Sequence, residues 1–377
     1  MKAAYDHLID DPIYSHQLEH LHRMYLSKSD DNSLTPDIAK ELYGLPLTLS
    51  VSKLEKYNAC AFSFFMQYGL AAQERMLGGL KSSDTGNILH SVLCDYFKAK
   101  AEENADYSTI ERDQCFSEIA ALVEKAGKDT NENLYSDSHY YRYMMLRLKN
   151  IATATAWKLI KFYSQSKFRP TGFEISFGKH GTYPPYDLDT QLGKVSLKGF
   201  IDRVDSAEID GIHNLSITDY KSSERKLDMA LAEAGIHFQP LIYANALRRH
   251  IPDSQVAAMF YLQMNDPIIG CSAPPDEHTW EKEMSDKIAA HGIIMDDTAV
   301  IEGIDKEYAN KDAVHYIQCS SKSLLHKDLL EKALTDADKK AAESADNILS
   351  GKIEANPAFV SDFNPCKYCP YGSICCR

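Results

Sequence analysis

A chain of 377 residues, 44% hydrophobic and 25% charged, is long enough for one large or two ordinary domains with a real core. A net charge of −13 argues against a protein that coats nucleic acid through bulk charge, while leaving room for a local basic channel. No apolar run approaches the ~20 residues that span a bilayer, and the N-terminal MKAAYDHLIDDPIYSHQ has no apolar signal core, so the chain reads as soluble and cytoplasmic, without a membrane.

Residues 1–50 read as helix and then loop, with a turn signal and a short helix in SLTPDIAKELYG. SVSKLEKYNACAFSFFMQYGL, from Ser50 to Leu70, opens on a serine N-cap and continues with helical periodicity. TGNILHSVLCDYFKAKAEE, 85–103, is an amphipathic helix, and further helices are expected over 109–127 and 138–168. The pattern then changes. FEISFG, KVSLKGFIDRVD and LSITDYKS alternate and are rich in β-branched residues, as strands are. HFQPLIYANALRRH returns to helix, QVAAMFYLQM to strand, and a charged helix over about 322–351 precedes a cysteine-rich tail. The order predicts an α/β core with a helical cap.

Asp202 and Asp219, near the ends of neighbouring strands, offer the carboxylates a hard divalent cation takes. Lys221, two residues after Asp219, shares its strand face. Together they suit metal-assisted attack on a phosphodiester, with the ammonium stabilising phosphate charge; three solvated charges at strand ends is the plain alternative. His90 lies mid-helix among apolar residues and is a core histidine unless the acids make it a metal ligand. Gln239 and Tyr243 stand one helical turn apart and could form a hydrogen-bonding ledge. Cys366, Cys369 and Cys375 have metal-ligand spacing, with Cys60 as a possible distant fourth; four thiolates suit zinc or an iron–sulfur cluster, and spacing does not separate the two. HQLEH, 16–20, matches a metallopeptidase pattern in a polar helix and lacks an evident third ligand. Residues 138–173 hold seven basic side chains, Lys158, Lys161 and Arg169 among them, interleaved with aromatics and with no acid; basic residues track phosphates and aromatics offer stacking faces. The alternative is an amphipathic helix whose aromatics form core.

SVSKLEKYNACAFSFF, GNILH, GFIDRVD, ITDYKSS, QPLIYANAL and CKYCPYGSIC occur in an order that resembles the RecB-type branch of the PD-(D/E)XK nucleases, and within it the nuclease domains that end the AddB chains of AddAB helicase–nucleases. The resemblance covers residues 48–376 and leaves 1–47 as a helical lead-in or a remnant of an upstream domain. It implies a restriction-endonuclease-like core, a central mixed sheet flanked by helices, with a C-terminal iron–sulfur staple. It implies Mg2+ or Mn2+ at His90, Asp202 and Asp219, with the Tyr220 carbonyl joining them, and Lys221 as the catalytic lysine. Gln239 and Tyr243 match a motif associated with the active site and DNA, Glu174 a strand position behind the metal, and Cys60, Cys366, Cys369 and Cys375 the ligands of a [4Fe–4S] cluster. The implied activity is exonucleolytic degradation of single-stranded DNA ends, the 5′-ended strand in double-strand-break repair, beside an AddA-type helicase–nuclease partner. AddB chains carry a helicase-like region ahead of this domain; this chain has none and no Walker A motif, so it reads as a nuclease fragment that does not hydrolyse ATP alone. The rival readings are a non-catalytic DNA-binding scaffold that keeps the fold, and a stand-alone iron–sulfur exonuclease of the CRISPR-adaptation kind.

Overall fold

The computed structural model describes residues 33–72, 82–130, 139–223, 225, 227–266, 276–287, 290–310, 312–317 and 323–375. The HQLEH stretch lies outside the described residues. Among the described residues no helix is long and apolar enough to cross a membrane.

Helix α1 (Pro36–Tyr43) starts on a Thr35 cap and leads into β1 (Leu47–Ser50). Ser50 caps α2 (Val51–Ala59) by accepting the Lys53 amide. The helix expected over 50–70 is then broken: Cys60 is extended (φ −170°, ψ 114°) before the short α3 (Ala61–Phe64) and a π-turn over Phe65–Gly69. The break has a tertiary cause. The C-terminal segment pairs with the backbone on both sides of it, through Phe62 N–H to Glu354 O and Ala358 N–H to Ala59 O. Helices α4 (Ser82–Glu102), α5 (Arg112–Thr130) and α6 (His139–Gln165) follow, each within a few residues of expectation, and pack on one another.

The strands are β2 (Arg169–Phe177), β3 (Tyr186–Leu188), β4 (Val195–Ile209) and β5 (Ile212–Lys221). After α7 (Met229–Glu233) and α8 (Gln239–Arg248) come β6 (Ser254–Gln263), α9 (Glu277–Lys287), β7 (His291–Met295), α10 (Thr298–Ile304), β8 (Leu324–Leu325) and the long α11 (Lys327–Leu349). The sheet has eight strands in the order β1-β4-β5-β6-β7-β8, with β2 and β3 also on β4. It is mixed: β1–β4, β5–β6 and β7–β8 are parallel and the rest antiparallel. This is the α/β architecture expected, a mixed central sheet flanked by helices.

Two local features place the site. Asp210 and Gly211, with φ of +52° and +75°, close a tight hairpin between β4 and β5, a conformation that suits an Asp-Gly pair. From there the ladder runs Ile209↔Ile212 to Arg203↔Thr218 and stops. At the next position Asp202 Oδ2 accepts the Tyr220 amide at 2.6 Å, so a side chain replaces the ladder. Beyond it β4 continues along β3 and β1, and β5 along β6; the strands part.

Directly behind this fork lies a buried polar network. Arg203 reaches Asp205 (3.1 Å), the Tyr220 hydroxyl (3.0 Å) and Thr218 (3.0 Å), and Tyr163 of α6 donates to Asp205 at 2.7 Å. Burial pushes the Asp205 carboxyl up and Arg203 opposes it. The guanidinium thus locks the last rungs of the hairpin to α6. Truncating one partner of a buried pair strands the other charge, at a cost of about 3–5 kcal/mol. Arg203→Ala is expected to lower the unfolding free energy in urea by that amount; a loss below about 1 kcal/mol, the scale of an exposed pair, would mean the network is not what holds the fork.

Candidate active site

β5 alternates at the fork. Thr218 and Tyr220 turn toward α6, and Asp219 and Lys221 toward α8. Asp219 is buried to 2% exposure. Burial pushes its carboxyl up to about 7, with Lys221 opposing and Asp202 adding to the rise. Lys221 Nζ forms an ion pair with Asp219 Oδ2 and donates to Gln239 Oε1 at 3.1 Å. Gln239 Nε2 donates in turn to the Tyr243 hydroxyl at 2.5 Å. The sequence pair Gln239 and Tyr243 is therefore a restraint on the lysine.

On the other side of the fork His90 projects from α4. Its Nδ1 lies 3.4 Å from Asp202 Oδ1 and 3.8 Å from Glu174 Oε1. The Phe173↔Arg203 and Ile175↔Ile201 pairs put Glu174 opposite Asp202. Glu174 holds φ at +45°, a left-handed conformation that costs a non-glycine residue of order 1–3 kcal/mol and that clusters at functional sites. One ligand atom from each of His90, Glu174 and Asp202 lies within 4.8 Å of the others, close enough to share a cation. Burial works against a charge on His90, but the Asp202 and Glu174 carboxylates outweigh it and raise the imidazole to about 10. Its ring stands edge-on to Tyr220 at 5.5 Å.

The donor set fits a hard divalent cation. Two carboxylates and an imidazole, those of Asp202, Glu174 and His90, share one cluster; Asp219 stands outside it, and its buried Oδ2 accepts no aligned hydrogen bond despite the nearby ammonium. Glu174, expected behind the metal, stands among the ligand candidates themselves. One site residue carried no motif: Glu55 of α2 is buried, accepts the Gln239 amide at 3.1 Å and faces Arg225. The available signal was a glutamate on the apolar face formed by Val51, Leu54 and Tyr57.

The basic segment needs a correction. Lys158 is buried to 4% exposure, and burial together with Arg203 depresses its ammonium well below the usual lysine range; it cannot track phosphates. Arg169 donates to the carbonyls of Tyr163, Ser166 and Phe168 and so closes the end of α6. Lys161 lies over the Trp157 ring. Lys158 is thereby removed from the expected set, while Lys161 is half-buried and Arg169, Arg142 and Arg147 are exposed.

Of the tail cysteines expected to share a metal with Cys60, Cys366 and Cys369 come near it, but among the described residues no three thiols stand within 4.8 Å of one another. Cys60, Cys366, Cys369 and Cys375 are free thiols. Burial raises the Cys60 thiol, and Cys369 and Cys366 are near enough to raise it further. The other three lie in consecutive turns over residues 364–375, tied by the Cys369 amide to Cys366 O and the Gly372 amide to Cys369 O. Tyr57, on the helix that ends at Cys60, donates to Lys352 O, and Tyr371 donates to Ala72 O.

Known proteins share this chain's sequence over most of its length. The chain is 32% identical over 353 residues to the B chain of the ATP-dependent helicase/deoxyribonuclease of Caldanaerobacter subterraneus subsp. tengcongensis, covering 89% of this chain and 30% of that protein. It is 29% identical over 350 residues to the protein of that name in Acetivibrio thermocellus, with the same coverage, and 30% identical over 357 residues to that of Clostridium acetobutylicum, covering 91% and 31%. It spans under a third of these curated relatives. The family model of the PD-(D/E)XK nuclease superfamily matches residues 48–376, nearly the whole chain, and the chain belongs to that superfamily.

Proposed function

We propose that this chain is a metal-dependent deoxyribonuclease domain that hydrolyses DNA phosphodiester bonds at the fork between β4 and β5. The observation that carries the reading is Lys221, restrained by Gln239 against Asp219, beside the His90, Glu174 and Asp202 cluster. His90, Asp202, Asp219 and Glu174, with the Tyr220 carbonyl, would hold Mg2+ or Mn2+. When bound, that ion supplies an activated water and neutralises charge developing at phosphorus. The chain's own residues do the rest. Lys221 presents an ammonium whose direction is fixed before substrate arrives, so it stabilises phosphate charge without reorganising. Tyr243 holds Gln239, and Gln239 keeps Lys221 from collapsing wholly onto Asp219. Asp202 is fixed by the Tyr220 amide and so stays ordered at the apex.

The deoxyribonuclease name of the relatives supports DNA as substrate. The same name, which makes them one chain of a helicase/deoxyribonuclease, supports a place in a helicase–nuclease complex beside an AddA-type partner. In that setting the domain acts as an exonuclease on single-stranded ends, degrading the 5′-ended strand during break repair by recombination. Cys60, Cys366, Cys369 and Cys375 would hold a [4Fe–4S] cluster, which supplies a cross-link between segments 306 positions apart. Closing so long a loop removes roughly 5 kcal/mol of unfolded-state entropy on the scale of a disulfide.

Each centre can be tested by substitution. Asp219→Ala and Lys221→Ala are each expected to abolish Mg2+- or Mn2+-dependent degradation of single-stranded DNA in protein that remains folded; undiminished cleavage in both removes the proposed site. For anaerobically purified protein, Cys60→Ala is expected to lose iron and thermal stability as severely as Cys369→Ala. Full iron content and unchanged stability in Cys60→Ala would show that the tail binds its metal without the α2–α3 junction.

A further inference from the structure

One charged pair beside the site has no part in the chemistry above. Glu55 is buried to 8% exposure. Its Oε1 accepts the amide of Gln239, the first residue of α8. Phe238 at the cap position offers that helix no side-chain acceptor, and Pro240 has no amide, so Glu55 caps α8 from a distant part of the chain. Its Oε2 faces Arg225 Nη1 at 3.4 Å. Arg225 follows Lys221 by four residues, its side chain is 31% exposed, and Glu55 is its one hydrogen-bond partner among the described residues.

A guanidinium carries five N–H donors in a planar fork, and its strongest pairs with carboxylate or phosphate use two of them at once. Among the described residues Arg225 makes a single long contact, and it stays partly exposed. Its charge also reaches Asp219, where it opposes the effect of burial on that carboxyl. The geometry is that of an arginine anchored at one nitrogen, with its remaining donors available beside the reacting centre.

We propose that Arg225 binds a phosphate of the substrate strand next to the scissile one, and that Glu55 is a positioning residue that holds Arg225 and the Gln239 helix in one frame. This inference rests on the deoxyribonuclease reading. It makes substrate binding depend on α2, the helix that ends at Cys60, since Glu55 lies on its buried face.

The test is binding of a labelled single-stranded oligonucleotide in Ca2+, read as affinity against salt, together with steady-state cleavage in Mg2+. Removing Arg225 alone strands a buried carboxylate, so Arg225→Ala is paired with the Glu55→Gln/Arg225→Ala double variant, which carries no stranded charge. Both are expected to bind about tenfold more weakly at low salt and to lose about 0.7 unit of log–log salt slope, the value for one phosphate contact on a single strand. Arg225→Lys is expected to keep the slope and lose part of the affinity, because an ammonium cannot grip bidentately. Glu55→Gln alone is expected to raise KM more than it lowers kcat; a purely structural Glu55 would shift the unfolding temperature and neither constant. A parent protein that cleaves, with affinity and slope unchanged in the double variant, overturns the inference and leaves the proposed function standing. A parent protein that neither binds nor cleaves the oligonucleotide overturns both.

Discussion

The hydrogen bond from the Tyr220 amide to the Asp202 carboxylate is the constraint on which the rest of the site depends. In an antiparallel ladder that amide would pair with a backbone carbonyl. Giving it a side chain instead ends the pairing of β4 and β5 and opens a gap at the middle of the sheet, where backbone is most rigid. Asp202 and Asp219 then stand on strands that are neighbours on one side of them and separate on the other. The Arg203 network immediately behind the gap keeps it from propagating. Rigid strands thus carry the acids, and a site held this way needs little reorganisation when substrate binds.

The helices supply the other half. His90 comes from α4 on one face and Gln239 with Tyr243 from α8 on the other, so the gap is lined from both layers of the α/β core. Lys221 is the point of contact between the layers. It shares Asp219's strand face and is turned by Gln239, whose own helix is capped by Glu55. Glu55 in turn lies little more than one helical turn before Cys60. The tail cysteines and the active site are therefore linked through a single short helix, which gives a physical route by which disorder in the tail reaches the lysine.

Much of this was legible in the sequence, and for a definite reason. Asp202, Asp219 and Lys221 sit in strands whose alternation fixes their faces, and His90, Gln239 and Tyr243 in helices whose period does the same. Long elements such as α4, α6 and α11 begin and end near the positions their periodicity marks. What failed to read were features set by distant partners. The interruption at Cys60 is made by backbone pairing with residues 354 and 358, which local pattern cannot contain. Lys158 looked like part of a basic surface, but its side chain lies on the face of α6 that packs on the Arg203 network. Glu55 and Arg225 are ordinary charges until the fold brings them together across 170 positions. Glu174 was visible as a strand residue, whereas its left-handed backbone beside Asp202 was not.

The central claim is that the parted strands form a divalent-cation site, and the most direct measurement is an anomalous difference map from crystals soaked in Mn2+. The account predicts one peak within coordination distance of the Asp202 and Asp219 carboxylates and the His90 imidazole, adjacent to Lys221. No peak at the fork, or a peak bound only by surface acids elsewhere, would contradict it.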